Sequence, residues 1–176
     1  KRIVADLHAA GIERVVMLTG DNRATAEMIA RETGVDEVHA ELLPEQKVES
    51  VERLVARYGH VGMIGDGVND APAMARANVG IAMGAIGSDA AIETADIALM
   101  QDDLSRLPWL IRHSKATLAI VRQNIGFSLA VKLLFTGLTI VGWASLWGAI
   151  AADVGASLLV VLNGLRLLSR DQSAQT

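Results

Sequence analysis

No cysteine occurs among the 176 residues, which excludes a disulfide frame and an internal thiolate metal cluster and leaves the redox compartment open. Aromatics make up only 3% of the chain and the basic residues are scattered, so no nucleic-acid face is present. The net charge is only -4, and charge is nearly missing from one long stretch: between Asn124 and Arg166 only Lys132 and Asp153 are ionisable. Almost all the remaining charge lies in the first 123 residues. A charged, soluble segment is therefore followed by a membrane-grade one. There is no initiating methionine, and "KRIVADLHAAGIERVVML" opens with a helix already running towards a strand. This predicts a piece of a longer polypeptide.

The first part alternates helical and strand-like patterns. Residues 2–10 carry Ile3, Val4 and Leu7 at helical spacing and end at Gly11; "ERVVMLTGD" is a β-branched apolar run closed by a turn. "NRATAEMIARETG" is an amphipathic helix closed by Gly34, and "DEVHAEL" a weaker strand. "PEQKVESVERLVARYG" has Pro44 in its first turn and Gly59 at its end. "HVGMIGD", "VGIAMG" and "ADIALMQ" read as further strands, with the short helix "DAPAMARA" between the first two. Strands alternating with helices over short connections imply a parallel sheet covered on both faces.

Ligands of an open parallel sheet bind at the carboxyl ends of its strands. Three segments are expected on that rim: Thr19-Gly20-Asp21, Pro44 to Lys47, and Gly65 to Asp70. Asp66 sits where a strand stops, Gly67 permits a tight turn, and Asn69 and Asp70 lead into a helix. Two carboxylates suit a hard cation such as Mg²⁺. Helix amides, an asparagine amide, a threonine hydroxyl and a lysine suit phosphate. Singly, each motif also reads as an ordinary turn, Asp70 as a helix cap and Lys47 as a solvated residue. Together they describe a magnesium–phosphoryl site. His8, His39, His60 and His113 have no partner at ligand spacing and are assigned to the surface.

"MLTGDN", "PEQK" and "MIGDGVNDAPAMARANVGIAMG" closely resemble the phosphorylation domain of P-type ATPases, members of the haloacid dehalogenase-like superfamily. The resemblance implies an α/β fold: an incomplete haloacid dehalogenase-like parallel sheet domain over residues 1–116, then a transmembrane α-helical hairpin and tail over 117–176. It implies that Thr19 binds phosphoryl oxygens, that Lys47 neutralises them, and that Gly20 and Asp21 lie beside the phosphates of ATP. Asp66 would ligate Mg²⁺, and Asn69 and Asp70 would complete the phosphate and metal shell. The family's phosphorylated aspartate lies in a DKTGT motif, which this sequence lacks, as it does the nucleotide-binding domain that follows. Asp96, Asp102 and Asp103 lack that context and read as strand-end and helix-cap residues. The chain alone is therefore expected to be inactive.

From Thr117 the composition changes. Ile125 to Val141 is apolar apart from Lys132; Gly142-Trp143 and Ser145 to Gly148 look like a turn region; Ile150 to Leu168 is apolar apart from Asp153, Asn163 and Arg166. At ~20 residues per span this gives two membrane helices and a short connector. Arg112, His113, Lys115 and Arg122 precede the hairpin and Arg166 and Arg170 follow it. The positive-inside tendency then puts both ends in the cytoplasm. Trp143 and Trp147 would mark the far interface, and the glycines serve helix packing. Counting from a turn near Ala144, Lys132 lies twelve positions before it and Asp153 nine beyond. At ~1.5 Å per residue their depths differ by about 4.5 Å, within a lysine's reach. Either a structural salt bridge or an ion site with its internal counter-ion fits that placement.

Three functions compete: part of an ATP-driven metal pump, a membrane-anchored phosphatase of the same superfamily, and a non-enzymatic regulatory fragment. A mere anchor has no reason to bury two ionisable groups, which favours the pump. Asn124, seven residues, Lys132, twenty residues, then Asp153-Val154-Gly155 is similar to the hairpin of P-type ATPases that export Zn²⁺, Cd²⁺ and Pb²⁺. The Tyr-Asn pair of copper pumps and the His-Glu-Gly-Gly run of cobalt-type relatives are not found; other ion specificities, the potassium pump among them, are the weaker alternative. The resemblance places Asp153 at the transported ion and Lys132 as its counter-ion, with Cys-Pro-Cys ligands on an earlier helix. It further implies lipid and the rest of the same polypeptide as partners, no nucleic acid, and a multi-pass protein of a prokaryotic plasma membrane.

Overall fold

The computed structural model describes residues 1–66, 69–83, 95–100, 103–143 and 145–172, without the side chains of 146 and 168–172. The turn at Gly67, the cap at Asp102, the turn residue Ala144 and the side chain of Arg170 lie outside the described residues. In chain order the elements are α1 (Arg2–Ala9), β1 (Val16–Leu18), α2 (Arg23–Thr33), β2 (Glu37–His39), α3 (Pro44–Tyr58), β3 (Gly62–Gly65), α4 (Ala71–Met74), β4 (Val79–Met83), β5 (Ile97–Leu99), α5 (Arg106–Ile140) and α6 (Leu146–Gln172).

The helix ends follow local chemistry. Asn22 starts α2 by accepting the Thr25 N–H at 2.9 Å, and Gly34 ends it at φ 80°, a conformation that costs glycine little. Pro44 opens α3, where the Gln46 side chain accepts the Leu43 N–H at 2.9 Å. Asp103 accepts the Ser105 N–H at 2.9 Å just before α5. The Ser105 hydroxyl, then its N–H, hold the Asp103 carboxyl below the usual carboxylate range. Asp96 accepts the Gly80 N–H at 2.8 Å and thereby ties the start of β5 to β4.

All strand pairs are parallel, as the alternating pattern requires. They form two sheets rather than one: β1 with β2, and β3–β4–β5. Among the described residues no strand pairs with the second edge of β1 or of β3. The two sheets nevertheless share a core. Val51 of α3, Met63 of β3, Ala73 and Met74 of α4 and Ala82 of β4 are buried together, with Leu18 of β1 and Val48 packed against them.

The chain divides into two compact units, Lys1–Trp109 and Leu110–Thr176. The compositional shift at Thr117 falls inside α5, because a helix satisfies its own backbone in water and in hydrocarbon alike. In the second unit, two helices are long and apolar enough to cross a membrane, and their apolar windows are 0% and 6% buried. Exposure of that kind is wrong for core helices of a soluble protein and right for a hydrocarbon solvent. At ~1.5 Å per residue, the 35 residues of α5 extend for about 52 Å, well beyond the ~30 Å hydrocarbon layer.

Candidate functional site

In the first unit β1 and β3 both hand over to rim loops. Thr19 follows β1 and is half-buried; its hydroxyl donates to Asp21 Oδ2 at 2.9 Å and accepts the Asp21 N–H at 3.1 Å. Two backbone bonds stitch this loop to the one preceding α3: Glu41 N–H to Asp21 O at 2.9 Å, and Leu42 N–H to Thr19 O at 3.1 Å. Gly20 allows that approach, since a Cβ there would stand 3.3 Å from the Leu42 carbonyl oxygen. The stitch requires Glu41 to adopt φ 60°, a left-handed conformation unusual for a side chain of its kind. Glutamate gives no sign of that in the sequence, where asparagine or glycine would have. Glu41 is the residue that sequence reasoning missed.

One turn into α3, Lys47 reaches across the rim. Its Nζ lies 2.7 Å from Asp70 Oδ1, joining residues 23 positions apart, and both side chains are 19% exposed. Asp70 stands at the start of α4 yet makes no side-chain cap bond, its carboxylate being turned to the lysine instead. The cap reading of Asp70 is thereby replaced, because an ammonium partner outcompetes a single amide. Asp66, just past the end of β3, is exposed, and its Oδ1 accepts the Asn69 N–H at 3.4 Å.

Gly65 decides whether Asp70 can hold this position. A Cβ on residue 65 would lie 2.6 Å from Asp70 Cβ, 3.0 Å from its Oδ2 and 3.1 Å from Met74 Sδ. Met74 is fully buried and cannot yield. Gly65→Ala is therefore expected to push Asp70 off Lys47 and to lower stability by about 1–3 kcal/mol, the usual cost of overpacking. A thermal unfolding midpoint equal to the parent's would count against it.

The rim so built presents oxygen donors from Asp66 and Asp70 and one ammonium. No group of three or more metal-ligating side chains occurs among the described residues. Two carboxylates without histidine or thiolate fit Mg²⁺, which keeps water and phosphate oxygens in its shell. Two histidines are more embedded than expected. His8 Nε2 lies 3.2 Å from Asp36 and His39 Nε2 2.8 Å from Glu37, both half-buried, so they fasten structure rather than stand in solvent.

In the second unit Lys132 and Asp153 are exposed on α5 and α6. Among the described residues no ion pair joins them, so the salt bridge that residue counting allows is not formed. Equal depth is necessary for pairing, but the direction each helix face turns also matters, and counting along the chain does not supply it.

A family model described as haloacid dehalogenase-like hydrolase matches residues 1–78. The "Probable cadmium-transporting ATPase" of Listeria monocytogenes is 54% identical over 168 residues, 96% of this chain and 24% of that protein. A crystal structure of a zinc-transporting PIB-type ATPase in the E2.Pi state superposes with a TM-score of 0.86 at 47% identity, over 95% of this chain and 27% of that one. Over nearly its whole length the chain is similar to P-type ATPases of the PIB type. The "Cadmium, zinc and cobalt-transporting ATPase" of Bacillus subtilis is 48% identical over 94% of this chain and 24% of its own length. The chain thus spans about a quarter of the length of the curated relatives it matches. Its two apolar helices mark a multi-pass membrane protein.

Proposed function

We propose that the chain is part of an ATP-driven export pump for Zn²⁺, Cd²⁺ or Pb²⁺, in which a phosphoryl group passes from ATP to an aspartate carried elsewhere in the polypeptide. The observation that carries this reading is the Lys47–Asp70 pair, with Asp66 following directly on the end of β3, where a phosphoryl group would lie. Thr19 holds the phosphoryl oxygens by hydrogen bonding once its hydroxyl, which donates to Asp21 here, turns to them. Lys47 offsets their charge, Asn69 donates to them, and Gly20 and Asp21 border the nucleotide phosphates. Asp66 and Asp70 would hold Mg²⁺, which neutralises charge on the transferring group. In the hairpin, Asp153 gives oxygen ligands to the transported ion and Lys132 serves as its counter-ion. The relatives named for cadmium and zinc support this choice of cargo. Both ends of the hairpin face the cytoplasm of a prokaryotic cell, lipid surrounds the exposed apolar faces, and the rest of the polypeptide completes the ion site.

Asp66→Asn in the complete pump tests the metal role. Phosphoenzyme formed at limiting Mg²⁺ is expected to fall at least as far as the roughly 10- to 100-fold seen when even outer-shell partners of a metal are lost. ATP affinity should stay close to the parent's. Parental phosphoenzyme levels across a Mg²⁺ titration would remove Asp66 from the metal shell.

A further inference from the structure

Four polar side chains meet in the apolar hairpin away from Lys132 and Asp153. The Asn163 amide of α6 donates to Asn124 Oδ1 of α5 at 2.8 Å and to Gln123 Oε1 at 3.2 Å. Asn124 donates in turn to the Val160 carbonyl at 3.4 Å, and Arg166 Nη1 donates to Asn163 Oδ1 at 3.1 Å. The orientation of the amides follows from chemistry. Arginine has only donors, so Asn163 must turn its oxygen to Arg166 and its NH₂ to α5. The Val160 carbonyl only accepts, so Asn124 must turn its NH₂ there and its oxygen to Asn163. Each side chain has one workable orientation, and the network runs in one direction from Arg166 through Asn163 to Asn124 and Val160.

We propose that Asn124 and Asn163 form a directional pin that sets the stagger of the two helices and thereby positions Asp153 against Lys132; this rests on the pump reading above. Apolar side chains in hydrocarbon gain little from one register over another, whereas interhelical hydrogen bonds distinguish registers. Asn124 lies eight positions before Lys132 and Asn163 ten positions after Asp153. With the two asparagines level, at ~1.5 Å per residue Lys132 and Asp153 differ in depth by about 3 Å. A slip by one helical turn would change that by ~5.4 Å and break every interhelical bond in the network. Asn124 and Asn163 are thus positioning residues: they touch no ion and act through the placement of Asp153.

The test uses the complete pump in membranes, with Zn²⁺ and Cd²⁺ as probes. Asn163→Asp keeps the acceptor for Arg166 but loses the donor to Asn124 and Gln123; Asn124→Asp keeps the acceptor for Asn163 and loses only the longer bond to Val160. Asn163→Asp is expected to raise the metal concentration for half-maximal ATPase stimulation roughly 3- to 20-fold, the scale of the two interhelical hydrogen bonds it removes. Asn124→Asp should stay within about twofold of the parent, the share of a marginal bond. In both, phosphorylation from inorganic phosphate should match the parent, showing a folded catalytic part. Asn163→Leu should resemble Asn163→Asp, and adding Asn124→Leu to it should change the metal dependence by no more than about twofold, the share of the Val160 bond, because the Asn124–Asn163 interaction is already lost. Equal effects of the two aspartate variants, additive leucine variants, or unshifted metal dependence would overturn the pin. A parent pump without any stimulation by Zn²⁺ or Cd²⁺ would overturn the pump reading and the pin with it.

Discussion

Lys47→Ala in the complete pump is expected to cut phosphoenzyme formation from ATP by roughly 10²- to 10³-fold, the scale on which loss of one preorganised donor to a charged transition state is felt. Two consequences of the 2.7 Å pair with Asp70 add together. The ammonium that would face the phosphoryl oxygens disappears. Asp70, only 19% exposed, is also left with a carboxylate that has lost its cation. That second effect should lower stability by about 1–3 kcal/mol. The fold itself should persist, since α3 is held through Val48, Val51 and Leu54 rather than through Lys47. Acid-quenched phosphoenzyme from labelled ATP, together with thermal unfolding, reads both effects. A parental phosphoenzyme level would show that Lys47 serves Asp70 alone.

Asp153→Ala should abolish stimulation of ATP hydrolysis by Zn²⁺ and lower the metal bound, while phosphorylation from inorganic phosphate survives. A carboxylate within a membrane helix is costly, by ~2.5–3.5 kcal/mol on insertion scales and more by other estimates, so it persists where it has a task. A salt bridge to Lys132 would be one such task, but the two side chains form no ion pair here. That leaves the carboxylate oxygens available to a cation. A variant that binds Zn²⁺ and responds to it like the parent would remove Asp153 from the ion site.

The helix and strand pattern of the first unit was legible because periodicity, caps and glycine stops are local. Gly34 and Gly59 end α2 and α3 where the pattern puts them, and each apolar β-branched run contains its strand. The strand partition was not legible, because hydrogen bonding between β1 and β3 depends on what lies between them in space, and spacing along the chain says nothing of that. At the rim, "PEQK" and "GDGVND" announce Lys47 and Asp70, but their 2.7 Å contact depends on missing volume at Gly65. A sequence records that a glycine is present, not which neighbour needs the space. Glu41 was invisible for the opposite reason: its backbone strain is imposed by the loops on either side and leaves no mark on residue type.

Among the described residues one edge of β1 and one edge of β3 have no strand partner, which has a practical consequence for anyone who isolates the unit Lys1–Trp109. Each displays a row of backbone donors and acceptors, and on β3 Ile64 is 37% exposed beside it. Natural proteins guard such edges with charge, proline or a covering segment, and the three residues of β1, Val16–Leu18, contain none of the first two. Copies of this unit meeting in solution would present one another with ready templates for intermolecular sheet growth. Self-association on storage is therefore built into the backbone, and a short strand supplied in trans is the natural remedy.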